Sequence, residues 1–275
     1  MGNVFDIATS RDAEVFLTAA TEDQVIVWDL RTRRELRSFP AWIDLGGQRL
    51  ALSPDGSVGY VGAYSRYGVA AHNVVTGEVL WRRKDLKRVQ TLLVSPDGAR
   101  LYVELEGRSA VELDTATGDN LNRLPAVKGI WESPFAPLQL RVKRSLELTN
   151  LDGSRVRSYP RESFAALHAV FGPDRLLVSE AGEFVRCFDL VNYLELWRYG
   201  SQGSHALRLG FHEGSGSFSA VMSSYKDGGP PQLVRFGDSG PVGEPEILPG
   251  AWCHEYAKRG AKLVLVGDEV DVIDV

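Results

Sequence analysis

The sequence predicts an all-β fold, a seven-bladed β-propeller whose blades are four-stranded antiparallel sheets. A short cassette recurs along the chain, in which a strand-forming run ends in an Asp- or Asn-type residue, with glycine in one copy. The anchors of the seven copies are Asp29, Asn73, Asp114, Asn150, Asp189, Gly237 and Asp274. Their spacings average about 41 residues, and several strands in a unit of that size are typical of one propeller blade. No segment has the periodicity of a long amphipathic helix.

Residues 89–124 show the predicted blade most clearly. The predicted strands are 89–94, 101–105, 110–114 and 120–124. Ser95-Pro96-Asp97-Gly98 forms the turn between the first two strands, since proline presets its own φ and glycine accepts a positive φ. Thr117-Gly118 forms the turn between the last two strands. Four short strands separated by turn residues are the pattern of an antiparallel blade.

The other units follow the same order of strands and turns. The turn between the first two strands recurs at residues 10–13, 53–56 and 172–174. We predict blades at about 3–40, 46–86, 88–125, 127–162, 164–201, 204–249 and 251–275. Residues 1–275 are therefore interpreted as one closed ring and a single domain.

The last unit is too short for four strands. Its predicted strands are 252–257, 262–266 and 270–274. Residues 4–9 already match the first strand of blade one, so the N-terminal segment is not expected to complete the last blade. We predict a three-stranded final blade with an open edge at Val270–Val275, where a partner strand could add. Two alternatives remain: the assignment of strands to blades is shifted by one strand, or the ring tolerates a short blade.

Composition excludes several classes of partner. The formal net charge is −5, which argues against a general nucleic-acid binder because such proteins need a basic surface. No apolar run approaches the length of about 18 residues that a membrane helix needs. The N-terminus lacks the pattern of a secretory signal, and Cys187 and Cys253 are interpreted as free thiols. We expect a cytoplasmic protein without nucleic-acid or membrane partners.

Several repeats resemble known propeller families. Ser95–Gly98 with Leu101-Tyr102-Val103 resembles the YVTN, or lactonase-like, repeat. Val27-Trp28-Asp29 is similar to the end of a WD40 repeat, and Thr76–Trp81 to a quinoprotein-type repeat. The resemblance implies a bacterial-style seven-bladed propeller. Most units lack the Gly-His pair of WD40 repeats, and no catalytic motif is present that could be carried over.

No motif for metal, cofactor or nucleophile chemistry is apparent. The five histidines, His72, His168, His205, His212 and His254, do not pair at metal-ligand spacing. Gly214-Ser215-Gly216-Ser217 lacks the spacing of a nucleophile elbow, and a phosphate-binding glycine loop is missing. We predict neither a metal nor a cofactor.

Candidate partner-binding residues cluster where the second-to-third-strand loops and the interblade connections are expected to open, here called the top face. The loops at 64–68 and 223–231 are longer than in the reference blade and combine tyrosine with a cation. Long polar-aromatic loops on a rigid scaffold are common binding sites, although simple variation in loop length is an alternative. The candidates are Trp42, Tyr64, Arg66, Tyr67, Lys87, Arg88, Trp131, Tyr225, Lys226, Trp252 and His254.

The favoured hypothesis is a non-enzymatic, protein-binding propeller that holds a protein partner on its top face. One concrete form is a bacterial immunity protein that neutralises a cognate toxin, since an acidic chain suits a basic toxin. One alternative is a lactonase-like hydrolase with a site in the central channel. Its candidate groups are Asp6, Glu132, His168 and His254. Another alternative is a structural subunit of a larger complex.

Overall fold

A computed structural model shows seven antiparallel sheets and confirms the predicted seven-bladed propeller. It describes residues 4–20, 23–41, 49–64, 67–107, 110–124, 127–162, 166–180, 184–200, 204–224, 229–248, 253–266 and 269–275. These residues contain no helix, and hence none that could cross a membrane.

The first four blades each contain four strands in chain order. Blade one contains β1 (Val4–Thr9), β2 (Val15–Ala20), β3 (Gln24–Asp29) and β4 (Glu35–Pro40). Blade two contains β5 (Leu50–Leu52), β6 (Val58–Gly62), β7 (Val69–Asn73) and β8 (Val79–Arg83). Blade three contains β9 (Val89–Val94), β10 (Arg100–Leu105), β11 (Ala110–Asp114) and β12 (Asn120–Leu124). Blade four contains β13 (Ile130–Glu132), β14 (Leu138–Val142), β15 (Ser145–Asn150) and β16 (Arg155–Pro160).

The last blade has three strands, as predicted. Blade five contains β17 (Ala166–Phe171), β18 (Arg175–Glu180), β19 (Val185–Asp189) and β20 (Glu195–Tyr199). Blade six contains β21 (Ser204–His212), β22 (Ser217–Ser224), β23 (Gln232–Gly237) and β24 (Gly240–Ile247). Blade seven contains β25 (Cys253–Ala257), β26 (Lys262–Val266) and β27 (Val270–Asp274). The β27 strand therefore forms the outer edge of its sheet.

The anchors of the sequence cassette cap the turn that follows the third strand. The side chain of Asp114 accepts hydrogen bonds from the backbone N–H groups of Ala116 and Thr117, both at 2.9 Å. Asn73 caps its turn in the same way, and Asp29 accepts the N–H of Thr32. In these copies the third strand ends in a short polar side chain that closes the following turn, whereas Gly237 in blade six has no side chain to do so.

The apolar core lies between neighbouring blades. Among the described residues, each of the seven junctions holds one cluster of buried side chains. Fourth-strand aromatics extend these junctions outward. Trp81 of blade two, for example, packs on the turn of blade three and donates its indole N–H to the Thr115 carbonyl at 2.8 Å. Blade-to-blade burial of this kind is the main favourable term that holds such a ring together.

Side chains close the ring between blades seven and one, because β1 and β27 belong to different sheets. The Thr9 hydroxyl donates to the Tyr256 carbonyl at 2.5 Å. Arg259 pairs with Asp12 at 2.7 Å. An apolar cluster that includes Phe16, Trp28 and Val264 fills the junction.

Arg33 covers part of the open edge of blade seven. It occupies the turn position that is Gly77 in blade two and Gly118 in blade three, and all three donate their N–H to the cassette anchor's carbonyl. Its φ of 60° is in the left-handed region. Its guanidinium donates to the Val272 carbonyl at 3.2 Å and pairs with Asp271 at 3.0 Å. Arg33 thus reaches from blade one to β27, which is the outermost strand of blade seven among the described residues.

The substitution Gly118→Ala should destabilise the protein by more than the cost of placing alanine at a positive φ. Gly118 has a φ of 77°, and an added Cβ would lie 2.8 Å from the Trp81 ring. Gly243→Ala is the matched control, because Gly243 has a φ of 73° and open space around it. The control should lower the free energy of unfolding by about 1–2 kcal/mol. Gly118→Ala should lower it by about 3 kcal/mol, because the clash with Trp81 adds to the backbone cost. Urea unfolding measures both, and equal losses would contradict this packing.

Candidate functional site

A central cavity of about 360 Å³ is surrounded by the first strands of all seven blades. Its lining takes one or more residues from each blade, including Ile7, Leu50, Leu92, Trp131, Ala169, Leu209 and Tyr256. The lining also includes first-to-second-strand turns, such as those at Arg11, Pro54 and Pro134. The cavity therefore opens on the face opposite the top face, here called the bottom face.

Irregular strand pairing places three polar side chains beside this channel. In β1, β17 and β21 the register with the second strand shifts immediately before Asp6, His168 and Arg208, respectively. Such a bulge adds one residue to a strand and redirects the side chains that follow it. The three bulges place an acid, an imidazole and a guanidinium in the first strands of blades one, five and six.

Asp6 joins blade one to blade two. One carboxylate oxygen accepts the backbone N–H groups of Arg49 and Leu50, at 2.5 and 2.7 Å, and the other accepts the Ile7 N–H at 2.9 Å. The side chain is buried. Burial raises the pKa of Asp6 to about 7, although the Leu50 N–H and the charge of Arg208 act in the opposite direction.

His168 joins blade five to blade six in a similar way. Its Nδ1 accepts the backbone N–H of Leu209 at 3.3 Å. Burial, and secondly the positive charge of Arg208, lowers the pKa of His168 to about 3. The ring is therefore neutral at physiological pH. Because Nδ1 is the acceptor, Nε2 carries the proton.

Arg208 is the positive centre of this part of the channel. Its Nε donates to Glu255 Oε2 at 3.0 Å, and another of its N–H groups donates to the Leu207 carbonyl at 2.8 Å. His254, adjacent to Glu255 in β25, is buried. Burial and the Arg208 charge lower the pKa of His254 to about 4. Sequence reasoning missed Arg208, because a bulge inside an apolar strand leaves no pattern in the sequence.

The four channel candidates do not form one catalytic set. Glu132 lies in blade four, where it accepts a hydrogen bond from Tyr102 and pairs with Arg100 at 3.1 Å. Asp6 and His168 are engaged by backbone N–H groups of the next blade. No group of three or more potential metal ligands occurs within the described ranges.

The predicted partner-binding residues separate into three groups. Five lie outside the described residues: Trp42, Arg66, Tyr225, Lys226 and Trp252. Two lie in the interior: His254 is buried in β25, and Trp131 lines the channel. The other four are Tyr64, Tyr67, Lys87 and Arg88.

Tyr64 and Arg88 contact two residues that sequence reasoning missed, Arg49 and Glu106, and Lys87 is adjacent to Arg88 in the chain. Tyr64, Lys87, Arg88 and Glu106 form a surface that we call the blade-two patch, and the buried Arg49 packs against Tyr64. The guanidinium carbon of Arg49 lies 5.3 Å from the centre of the Tyr64 ring, and the Tyr64 hydroxyl donates to Glu106. Arg88 pairs with Glu106 at 3.7 Å. Tyr67 lies apart, beside a small cavity lined by His72 and Arg82.

The backbone also fixes the blade-two patch. Arg88 donates its N–H to the Tyr64 carbonyl at 2.9 Å, and Glu106 donates its N–H to the Arg88 carbonyl at 2.8 Å. Arg88 has a φ of 60°, a left-handed conformation that strains a residue with a side chain. Its side chain is 59% exposed. The contacts thus hold an exposed arginine in a strained conformation beside a positioned tyrosine.

Comparison with known proteins supports the fold and no more than the fold. No protein-family model matches the sequence. A solved structure titled Kuenenia stuttgartiensis hydrazine synthase superposes with a TM-score of 0.77 at 13% identity, covering 99% of this chain and 95% of that chain. In all, 1735 chains of solved structures match, so the likeness is too widely shared to indicate a function.

The substitution His168→Gln should make the protein less sensitive to acid. Below pH 6.5 the imidazole binds a proton in the unfolded chain, but in the folded chain it does so only near pH 3. Its contribution to stability is therefore present above pH 6.5 and is lost as pH falls toward 3. Between pH 7 and about pH 4.5 the free energy of unfolding should fall by about 2 kcal/mol less in the variant.

Urea unfolding of both proteins at the two pH values measures this difference. Asp6 titrates in the opposite sense and is present in both proteins, so its contribution cancels in the comparison. Equal losses of stability in the two proteins would show that His168 takes up its proton normally in the folded state.

Proposed function

We propose that this β-propeller is a non-enzymatic protein-binding module and that the blade-two patch is its recognition surface. The observation that carries the proposal is the fixed position of Tyr64, whose ring lies over Arg49 and whose hydroxyl is bonded to Glu106. Tyrosine and arginine contribute most of the binding energy in many protein interfaces. A side chain already held in place loses little conformational entropy on binding.

The strain at Arg88 supports the same proposal. A left-handed non-glycine residue costs about 1–2 kcal/mol, and such residues concentrate at functional sites. Glycine at this position would remove the strain, whereas arginine adds an exposed guanidinium that pairs with Glu106. Lys87 and Arg88 make the exposed part of the patch basic, and we expect an acidic segment of the partner to face it.

The concrete form that we propose is a bacterial, cytoplasmic immunity protein that holds a cognate toxin. The net charge of −5 would favour long-range attraction to a basic toxin, and the patch would supply the short-range contact. Proteins encoded by the genes next to this chain's gene can be expressed singly and scored for growth arrest. Rescue of growth by co-expression of the wild-type chain is the expected result, and failure of rescue for every arresting neighbour would remove the immunity role.

A partner strand at Val270–Val275 is a second proposed contact. Val270 to Ile273 are half-buried, whereas Val69 to His72 in the corresponding strand of blade two are buried beneath a fourth strand. An added strand would cover β27, and main-chain hydrogen bonds would hold it. The Arg33 guanidinium donates a hydrogen bond to the Val272 carbonyl at this edge, so strand addition would displace the Arg33 side chain.

Arg88→Gly should weaken partner binding without weakening the fold. The change removes the exposed guanidinium and relieves the left-handed strain, so stability should stay level or rise by up to about 1 kcal/mol. Affinity for the partner should fall by about tenfold or more, as expected for an interface arginine. Quantitative pull-down from the source organism's lysate, with thermal unfolding in parallel, measures both.

Arg33→Gly is the matched control for this test. Arg33 shares the φ of 60°, and its side chain is 50% exposed, but it lies at the edge of blade seven. Unchanged binding in Arg33→Gly, with loss in Arg88→Gly, is the result expected for a partner on the top face. Stronger binding in Arg33→Gly would place the partner on the β27 edge. Full binding by a folded Arg88→Gly/Tyr64→Ala variant would contradict the top-face proposal.

A further inference from the structure

The central cavity has the character of a small-molecule site separate from the blade-two patch. Its volume of about 360 Å³ falls within the range of about 300–1,000 Å³ that is typical of such sites. It opens on the bottom face, so a ligand there would not compete directly with a protein on the top face. Its walls combine apolar side chains, such as Leu92 and Phe171, with a few polar groups.

We propose that the channel binds a neutral small molecule that has an apolar body and a carbonyl-type oxygen, with the Nε2–H of His168 as the hydrogen-bond donor to that oxygen. This site is independent of the protein-binding function proposed above.

The charges around the cavity favour a neutral ligand. Each charged side chain of its lining has a partner of opposite sign. The ion pairs are Arg11–Glu213 at 2.6 Å, Glu132–Arg100 at 3.1 Å, Glu255–Arg208 at 3.0 Å and Arg259–Asp12 at 2.7 Å. A charged ligand would have to break one of these pairs or be desolvated without a partner, and either cost is large. A neutral molecule has neither cost.

The polar groups favour a hydrogen-bond acceptor. His168 lines the cavity, and the bond from Leu209 to Nδ1 leaves Nε2–H as its donor. Its lowered pKa keeps the ring neutral, so it offers a donor without a charge. Trp131 also lines the cavity, as part of its aromatic wall. A ligand oxygen would accept the hydrogen bond of the His168 Nε2–H.

Fluorescence titration with Prodan, a neutral naphthalene ketone, tests this proposal on the full chain. We expect one molecule bound per chain, a blue shift of its emission and a higher unfolding temperature, since a ligand that binds only the folded state stabilises it. Anilinonaphthalene sulfonate, an anion of similar size, should bind at least about tenfold more weakly, because its charge has no free partner.

Substitutions at His168 separate a hydrogen bond from general packing. His168→Leu should weaken Prodan binding by about tenfold, whereas His168→Gln, which keeps an N–H donor, should stay within about threefold of wild type. His72→Leu is the matched control, because His72 is a buried histidine that stacks on Phe39 and does not line the channel. It should leave Prodan affinity unchanged.

Three results would overturn the proposal: no binding of Prodan to the wild type, equal binding of the anion, or full affinity in a folded His168→Leu variant. If His168→Leu does not fold, the ligand is varied instead: a Prodan analogue whose ketone is replaced by a methylene group lacks the acceptor oxygen. Its affinity for the wild type should be lower than that of Prodan by about threefold or more, and equal affinity would then be decisive against the assignment.

Discussion

The open inner edges of the first strands are the constraint on which this structure depends. Each first strand lies at the end of its sheet and faces the channel, so alternate backbone N–H and C=O groups have no partner within the blade. Buried backbone groups must be satisfied. Here side chains of a neighbouring first strand satisfy some of them. Asp6 accepts a backbone N–H of β5, His168 accepts one of β21, and Thr9 donates to a carbonyl of β25. The same hydrogen bonds fix the relative position of adjoining blades.

This constraint also determines the chemistry of the channel. Between the blades that they bridge, Asp6 is buried and His168 is half-buried. Desolvation shifts their pKa values in opposite directions, each toward the neutral form. Arg208 pairs with Glu255. Its positive charge also disfavours protonation of His168 and His254. Because its histidine donor is neutral and its charged side chains are paired, the channel is better suited to binding a neutral ligand than a charged one. The groups that first suggested hydrolysis are therefore explained largely by the closure of the ring.

The scaffold could be predicted from the sequence because its signals are local. Asp114 and Gly118 define one turn within five consecutive residues, and related turns recur at Asn73 and Asp29. The three-stranded last blade followed from the number of residues left after the sixth unit. The channel and the blade-two patch were only partly predictable. Their contacts join distant residues, such as Tyr64 and Glu106, which are 42 positions apart, and the bulge before Arg208 has no local signature.

Departures from the repeat carry more functional information than the repeat itself. Gly77 and Gly118 show that glycine is the unstrained choice at the turn position where blade one has Arg33. Arg33 lies next to blade seven, which has three strands among the described residues, and its side chain extends to that sheet. Arg88 has the same left-handed conformation beside Tyr64. Each arginine costs stability where glycine would not. The guanidinium of Arg33 contacts the β27 edge, and that of Arg88 pairs with Glu106 on an exposed surface.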